Sequence, residues 1–288
     1  MKKIALAENV YWVGAVDWIS RDFHGYSING TTYNAFLIID EKITLIDTVK
    51  KPYKSELLHR IRNIIDPEKI DYLVVNHVEM DHSGCLPEIV EAIRPEKIIC
   101  SKMGHKALLQ HFHQPDWPYH VVSGGEEISL GKRTLSFLET RMLHWPDSMF
   151  TYLKEDQILF TSDAFGEHLA TSERFDDEVE QGVLMHEATK YYANILNLYS
   201  PLVKKLLAKV EEMQLPIRML APDHGVVWRS NPGRIIEAYG RWCNQQGNGK
   251  ALVIYDTMWE STRTMAKAVC EGLHDVGVEY KLIDLQVT

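Results

Sequence analysis

The stretch "NHVEMDHSG", Asn76 to Gly84, crowds two histidines, a glutamate and an aspartate into six positions. These side chains bind metal ions through nitrogen and oxygen. His77, Glu79 and Asp81 alternate, so an extended segment would point all three to one side. His82 follows where the chain turns at Ser83 and Gly84. Taken alone, the stretch is either a polar loop that happens to hold histidines or part of a metal site. Similar residues in similar settings decide between the two. "LHWPDS" puts His144 just after the β-rich run "RTLSFLET". "FTSDAF" puts Asp163 at the end of "QILF", and "APDHG" puts His224 at the end of "IRML". Gly225 beside His224 allows a sharp turn. Each is an imidazole or carboxylate at the C-terminal edge of a strand-like run, and such edges can converge on one cleft. Together His77, Glu79, Asp81, His82, His144, Asp163 and His224 are too many for one tetrahedral zinc and enough for two metals.

The elements that must position these residues are legible as periodicity. "VYWVGAV", "NAFLIID" and "KITLIDT" are β-rich runs separated by turn residues. "KSELLHRIRNII" shows apolar spacing of three and four, which predicts a helix. "DYLVVNH" is a buried strand leading into the opening motif, "LPEIVEAI" a helix, "EKIICS" a strand and "GHKALLQHFH" a helix followed by the loop "QPDWPYH". "RTLSFLET", "TYLKEDQILFTSD" and "IRMLAPDHG" are later strands. A long helical stretch between the last two is expected to break near Pro201, and "PGRIIEAYGRWCNQQ" closes this part as a helix. His105, His111, His113 and His120 lie on an amphipathic helix and a polar loop and are taken as surface residues. The expected organisation is a domain over 1–246, the linker "GNGK" at 247–250, and a strand–helix–strand unit over 251–288.

The chain has 288 residues, 45% hydrophobic and 25% charged, with a formal net charge of −9. This is globular composition with no basic stripe, so no nucleic-acid partner is expected. No apolar run is long enough to span a membrane, and the N-terminus has no signal-peptide pattern. Cys85, Cys100, Cys243 and Cys270 are scattered without a CxxC, which fits buried thiols in a reducing cytoplasm.

The order H-x-[HE]-x-D-H, then His, Asp and His, resembles the metallo-β-lactamase fold, an αββα sandwich with a two-metal site at one edge. Hydrolases of that fold carry His where this chain has Glu79. That exchange, with "RDFHG", "GTTYNAFLI", "HWPDSMFTY", "RFDDEV", "YYANIL", "HGVVWR" and the appended βαβ unit, resembles the flavodiiron proteins, also called A-type flavoproteins or rubredoxin:oxygen oxidoreductases. A carboxylate in place of imidazole makes the site harder and more anionic, which suits iron. The resemblance implies two irons: one held by His77, Glu79 and His144, the other by Asp81 and His224, with Asp163 bridging. It leaves His82 open, as a ligand or as a hydrogen-bond donor behind the ligands. His24 and Tyr191 match pocket positions that would donate hydrogen bonds to a bound diatomic. Read without the resemblance, they are a turn histidine and a core tyrosine. Trp145 packs against its neighbouring ligand.

"YDTMWESTRTMA" follows a strand and opens a helix, where backbone N–H groups hold a phosphate well. Thr257, Met258, Trp259, Glu260, Ser261 and Thr262 resemble the FMN-phosphate loop of flavodoxins. A flavodoxin-like doubly wound domain has five parallel strands, and 251–288 carries only its first βαβ unit. FMN is therefore expected in a longer parent protein and not as a tight ligand of this chain. The implied activity is reduction of O2 to water or of NO to N2O, with electrons relayed through FMN from rubredoxin or a reduced deazaflavin. The implied assembly is a head-to-tail homodimer or a dimer of dimers. One rival is a two-zinc hydrolase of the same fold; another is a metal-poor scaffold that keeps only the fold.

Overall fold

Alternation along the strands sets the layers. In Tyr72–Val75, Val74 packs into one apolar cluster while Leu73 and Val75 pack into another on the opposite face. The same division runs through every strand beside it. The protein is described by a computed structural model covering residues 3–287. It comprises two compact units, Met1–Asn244 and Gln245–Thr288.

In the first unit one sheet has seven strands in chain order: β1 (Ile4–Ala7), β2 (Val10–Trp12), β3 (Phe36–Ile38), β4 (Thr44–Ile46), β5 (Tyr72–Val75), β6 (Lys97–Ser101) and β7 (Tyr119–Val122). Pairing is antiparallel from β1 to β4 and parallel from β4 to β7. The second sheet has β8 (Glu127–Ser129), β9 (Thr134–Glu139), β10 (Met149–Leu153), β11 (Ile158–Phe160) and β12 (Met219–Ala221). It is antiparallel up to β11, with β11 and β12 parallel.

The sheets face each other through Phe36, Ile38, Ile46, Val74, Ile99, Leu135, Phe137, Met149 and Phe160. The outer face of the first sheet is covered by α1 (Lys54–Arg62), α3 (Leu86–Ile93) and α4 (Lys102–Phe112), through Leu57, Ile61, Ile89 and Leu108. The outer face of the second is covered by α5 (Gln181–Tyr191), α6 (Ser200–Glu212) and α7 (Pro232–Cys243), through Leu184, Val203, Leu206 and Tyr239. This is the expected αββα sandwich. The remaining helix, α2 (Met80–Ser83), is a single turn inside the metal-ligand motif.

Two expectations need correction, and a third, the helix break near Pro201, gains detail. His77, Glu79 and Asp81 do not lie on one extended run. Glu79 is the last extended residue, and Met80–Ser83 closes into α2, with the His82 and Ser83 N–H groups both donating to the Glu79 carbonyl at 2.9 Å. The loop expected at "QPDWPYH" ends early, because Tyr119–Val122 adds to the sheet beside β6. The long helix breaks before Pro201: a π turn at Tyr192–Leu196 and a 3-10 turn at Asn197–Tyr199 intervene, and α6 starts afresh at Ser200. Pro201 then sits in the first turn, where its missing N–H is not needed.

In the second unit β13 (Ala251–Tyr255), α8 (Ser261–Asp275) and β14 (Tyr280–Asp284) form a βαβ with the strands parallel. Leu252, Ile254, Met265, Val269 and Leu282 on it are exposed. All four cysteines are free and buried.

Candidate metal centre

Four strand ends of the first unit deliver ligands to one place. His77 and Glu79 follow β5, His144 lies in the loop after β9, Asp163 follows β11 and His224 follows β12. The α2 turn adds Asp81 and His82. All seven sequence candidates converge. His77, Glu79, His144 and Asp163 place one ligand atom each within 4.8 Å of one another, and Asp81, His82 and His224 do the same.

Distances knit the two groups together. His144 Nε2 lies 2.9 Å from Asp163 Oδ2, and His77 Nε2 lies 3.4 Å from the same oxygen. His82 Nε2 lies 3.3 Å from Asp163 Oδ1 and 3.2 Å from Asp81 Oδ2. His224 Nε2 lies 3.1 Å from Asp81 Oδ2. Asp163 thus turns one oxygen to each group. His82 turns Nε2 toward Asp81 and Asp163.

The floor and the mouth of the site differ. The side chains of His77, His82, Asp163 and His224 have no exposure, whereas Glu79 is 21% and His144 12% exposed. His24 stands at this mouth, its Nε2 3.2 Å from Glu79 Oε1. Tyr191 is buried, with its ring 5.0 Å from His168 and 6.1 Å from His224. Trp145 packs edge-on against His77 at 5.4 Å.

The donor chemistry fits cations. Asp81 and Asp163 are buried, and Asp81 Oδ2 and Asp163 Oδ1 face only imidazole nitrogens, a costly arrangement unless something positive stands among them. Burial pulls the His77 imidazole down, but Asp163, Asp147 and Glu79 outweigh it and hold the group well above its usual range. Burial likewise lowers His144, and its hydrogen bonds to Asp163 and Glu79 overcome this, pushing it up to about 9. Conversely, burial raises Asp163 and Asp81, and the surrounding imidazoles drive both well below the carboxylate range. A metal ion offers these carboxylates the same positive charge while leaving the imidazoles neutral.

Partners behind the ligands orient them. Asp147 Oδ2 lies 3.0 Å from His77 Nδ1 and accepts the Val78 N–H at 2.7 Å. A carboxylate accepts only, so Nδ1 carries the proton and Nε2 keeps its lone pair for the centre. His224 Nδ1 lies 2.6 Å from the Thr32 carbonyl. Asn34 donates its side-chain amide to the carbonyls of Pro222 at 2.7 Å and Gly225 at 3.0 Å, clasping the His224 loop, and its Oδ1 accepts from Trp12 Nε1 at 2.8 Å.

The sequence reading missed Asp147, Asp223, His168 and Tyr26. Asp147 sits three residues after His144 in the quoted "HWPDS", a spacing that could have flagged it. His168 is buried, bonded through Nδ1 to Thr31 Oγ1 at 2.8 Å, with Nε2 free of partners. Burial and the neighbouring His224 hold it well below the usual imidazole range, so it is neutral. Tyr26 leans on His168 with its hydroxyl also unpartnered.

In the second unit Thr257 is buried and accepts from Gln286 Nε2 at 2.6 Å through its carbonyl. Met258 and Trp259 are 79% and 82% exposed. Glu260 takes a left-handed φ of 67° and does not cap α8, whose first residues are Ser261 and Thr262. The quoted loop therefore does sit at a helix start following a strand.

A family model described as ODP family beta lactamase matches residues 31–225. The nitric oxide reductase of Moorella thermoacetica is 50% identical over 288 residues, 99% of this chain and 72% of the relative. The rubredoxin-oxygen oxidoreductase of Megalodesulfovibrio gigas is 46% identical, over 98% of this chain and 71% of the relative. Among solved structures, rubredoxin oxygen:oxidoreductase from Desulfovibrio gigas superposes with a TM-score of 0.96 at 45% identity, covering all of this chain and 73% of that one. The flavodiiron protein from Giardia intestinalis does so with a TM-score of 0.94 at 37% identity, covering all of this chain and 71% of that one. With seven ligand-type side chains gathered where the sandwich strands end and relatives this close, the chain belongs to the flavodiiron proteins of the ODP beta-lactamase family.

Proposed function

We propose that the protein is an oxidoreductase that reduces O2, NO or both at a non-haem diiron centre. One observation carries this reading: two groups of candidate ligands meet at Asp163, whose two oxygens turn one to each group in a buried floor. His77, Glu79 and His144 would hold one iron. Asp81, His82 and His224 would hold the other, with Asp163 between the two groups. Three carboxylates in one donor set favour iron over the softer demands of zinc. Iron held by these residues would supply the electrons that reduce a diatomic oxidant.

The chain's own residues do the rest. Asp147 and the Thr32 carbonyl fix the ring orientations of His77 and His224. The fully buried floor excludes water, so access is left to the side of Glu79, His144 and His24. His24 sets a ring nitrogen against Glu79, and Tyr191 packs beside His168 and His224 with its hydroxyl buried and unpartnered; on this reading both would donate hydrogen bonds to substrate or product. The neutral His168 and Tyr26 lie behind them. FMN is the electron relay on this reading, with its phosphate at Thr257–Thr262 at the start of α8. Rubredoxin or a reduced deazaflavin is the donor. A head-to-tail homodimer would bring one subunit's flavin to the other's metals. No helix among the described residues is long and apolar enough to cross a membrane, and four free cysteines accord with a cytoplasmic setting.

The test is metal and flavin content of anaerobically purified protein, followed by O2 and NO consumption with an artificial reductant. Two irons per chain and consumption of either gas are expected. Two zincs and no iron from iron-replete cells would make the protein a metal-dependent hydrolase instead.

A further inference from the structure

The inward stripe of α5 carries Leu184, Glu187, Ala188 and Tyr191, all buried. Their spacing of three and four puts them on one face of the helix. Glu187 is the one acid in that stripe, and a carboxylate on a buried helix face is costly unless something uses it. Its side chain keeps 9% exposure, so solvent still reaches it. Lys190, at the rim, stands with Nζ 3.7 Å from Glu187 Oε2 and 5.7 Å from the centre of the Tyr26 ring. Tyr26 and the buried Glu167 both feel the charge of Glu187.

One turn on from Glu187, Tyr191 has no exposure, and its hydroxyl has no protein partner. The Tyr26 hydroxyl is likewise sealed and unpartnered. Both rings pack on His168, Tyr26 at 5.9 Å and Tyr191 at 5.0 Å. Buried hydroxyls of this kind are ordinarily satisfied by ordered water. The Tyr191 ring in turn lies 6.1 Å from that of His224. Polar groups therefore run in series from the surface to the edge of the centre: Glu187 beside Lys190, then Tyr26, then Tyr191.

The reaction gives such a series a use. Reduction of O2 to two waters takes up four protons with four electrons, and coupling of two NO to N2O and one water takes up two of each. We propose that Glu187 is the entry of a proton route into the centre, loading protons from solvent and passing them through water held between the Tyr26 and Tyr191 hydroxyls. Each hydroxyl accepts one proton as it gives up another, so neither tyrosine changes charge. Glu187 gives up its proton inward and is reloaded from outside, and Lys190 steadies the carboxylate in between. Glu187 acts through the tyrosines and touches no substrate, so it is a positioning residue. This inference rests on the diiron reading and deepens it.

The test compares wild type, Glu187→Gln and Glu187→Asp as full chains, reading bound iron, melting temperature and the pH profile of gas consumption with an artificial reductant. Glu187→Gln keeps the shape and removes the proton. It should retain the iron and stability of wild type, consume gas about a hundredfold more slowly, as for loss of a general acid–base group, and lose one inflection of the pH profile. Glu187→Asp should restore most of the rate. A wild-type rate and profile in Glu187→Gln overturns the route and sends the protons in beside Glu79 and His24. A slower rate with an unchanged pH profile also overturns it, because Glu187 would then serve structure alone. Wild type without iron, or inert to both gases, overturns the diiron reading itself. A crystal structure of the wild-type chain decides independently, even where Glu187→Gln does not fold. Water within about 2.6–3.2 Å of both the Tyr26 and Tyr191 hydroxyls is expected, and side-chain atoms filling that space overturn the route.

Discussion

A ring nitrogen presents its lone pair to a metal only if the other nitrogen holds the proton. At His77 that choice is made by Asp147, outside the ligand ring. Asp147→Asn nearly preserves shape but can offer an N–H where an acceptor is needed. We expect it to weaken one of the two metals by roughly 10–100-fold, the usual cost of losing such a partner. Competition with a chelator of known affinity measures this, and an unchanged affinity would remove Asp147 from the centre. Asp163 has the opposite character, since its two oxygens reach both groups. Asp163→Ala should reduce bound iron from two per chain to less than one, read by plasma mass spectrometry. Two retained irons would show that Asp163 does not bridge.

At the scale of elements, the ligands depend on how each strand ends. His224 is carried past β12 by Gly225, whose φ is +82°. A Cβ there would meet Glu167 Oε1 at 2.1 Å and the Glu167 carbonyl oxygen at 2.7 Å. Gly225→Ala combines backbone strain with this clash. It should cost at least about 1–3 kcal/mol in urea unfolding, and it should lower metal occupancy by shifting His224. Normal stability and occupancy would mean that the turn is more tolerant than its contacts imply. The β6 strand makes a different prediction. Burial pushes the Cys100 thiol up to about 12, so almost no thiolate is present at pH 8. Iodoacetamide at pH 8 should spare Cys100 in the native protein and label it after unfolding, as peptide mass spectrometry will show. Rapid native labelling would indicate that the outer face of the first sheet opens easily.

Across the whole molecule, a cluster of buried acids sits where four strand ends meet. Asp81, Asp163, Asp223 and Asp47 are all buried there. Ions that bind the folded centre and not the unfolded chain stabilise the fold by mass action. Chelation of the metals should therefore lower the melting temperature of the main unit, and excess Fe2+ under anaerobic conditions should restore it. Differential scanning calorimetry checks this. A melting temperature indifferent to chelator would mean that the sandwich alone carries the cluster. The βαβ of the second unit buries only Tyr255, Thr257, Ala266 and Cys270, and so it contributes little apolar burial of its own.

The amino-acid sequence determined most of the strands, most of the helices and the seven ligand candidates. Those rest on local patterns: an apolar run, then an imidazole or carboxylate where it stops. It also determined the strand–helix–strand pattern at 251–288. Other features depend on partners far away in the chain. The Met80–Ser83 turn overrides the extended alternation because Asp81 and His82 must face a different group from His77 and Glu79. Asp147 meets His77 across 70 residues, and Asn34 reaches Gly225 across 191. Side-chain type is local, but which face of a strand end turns toward which other strand is fixed by sheet order and by the packing of two sheets. For that reason only the tertiary structure decided that His82 points inward, that Asp147 stands behind His77, and that Asn34 clasps the loop of His224.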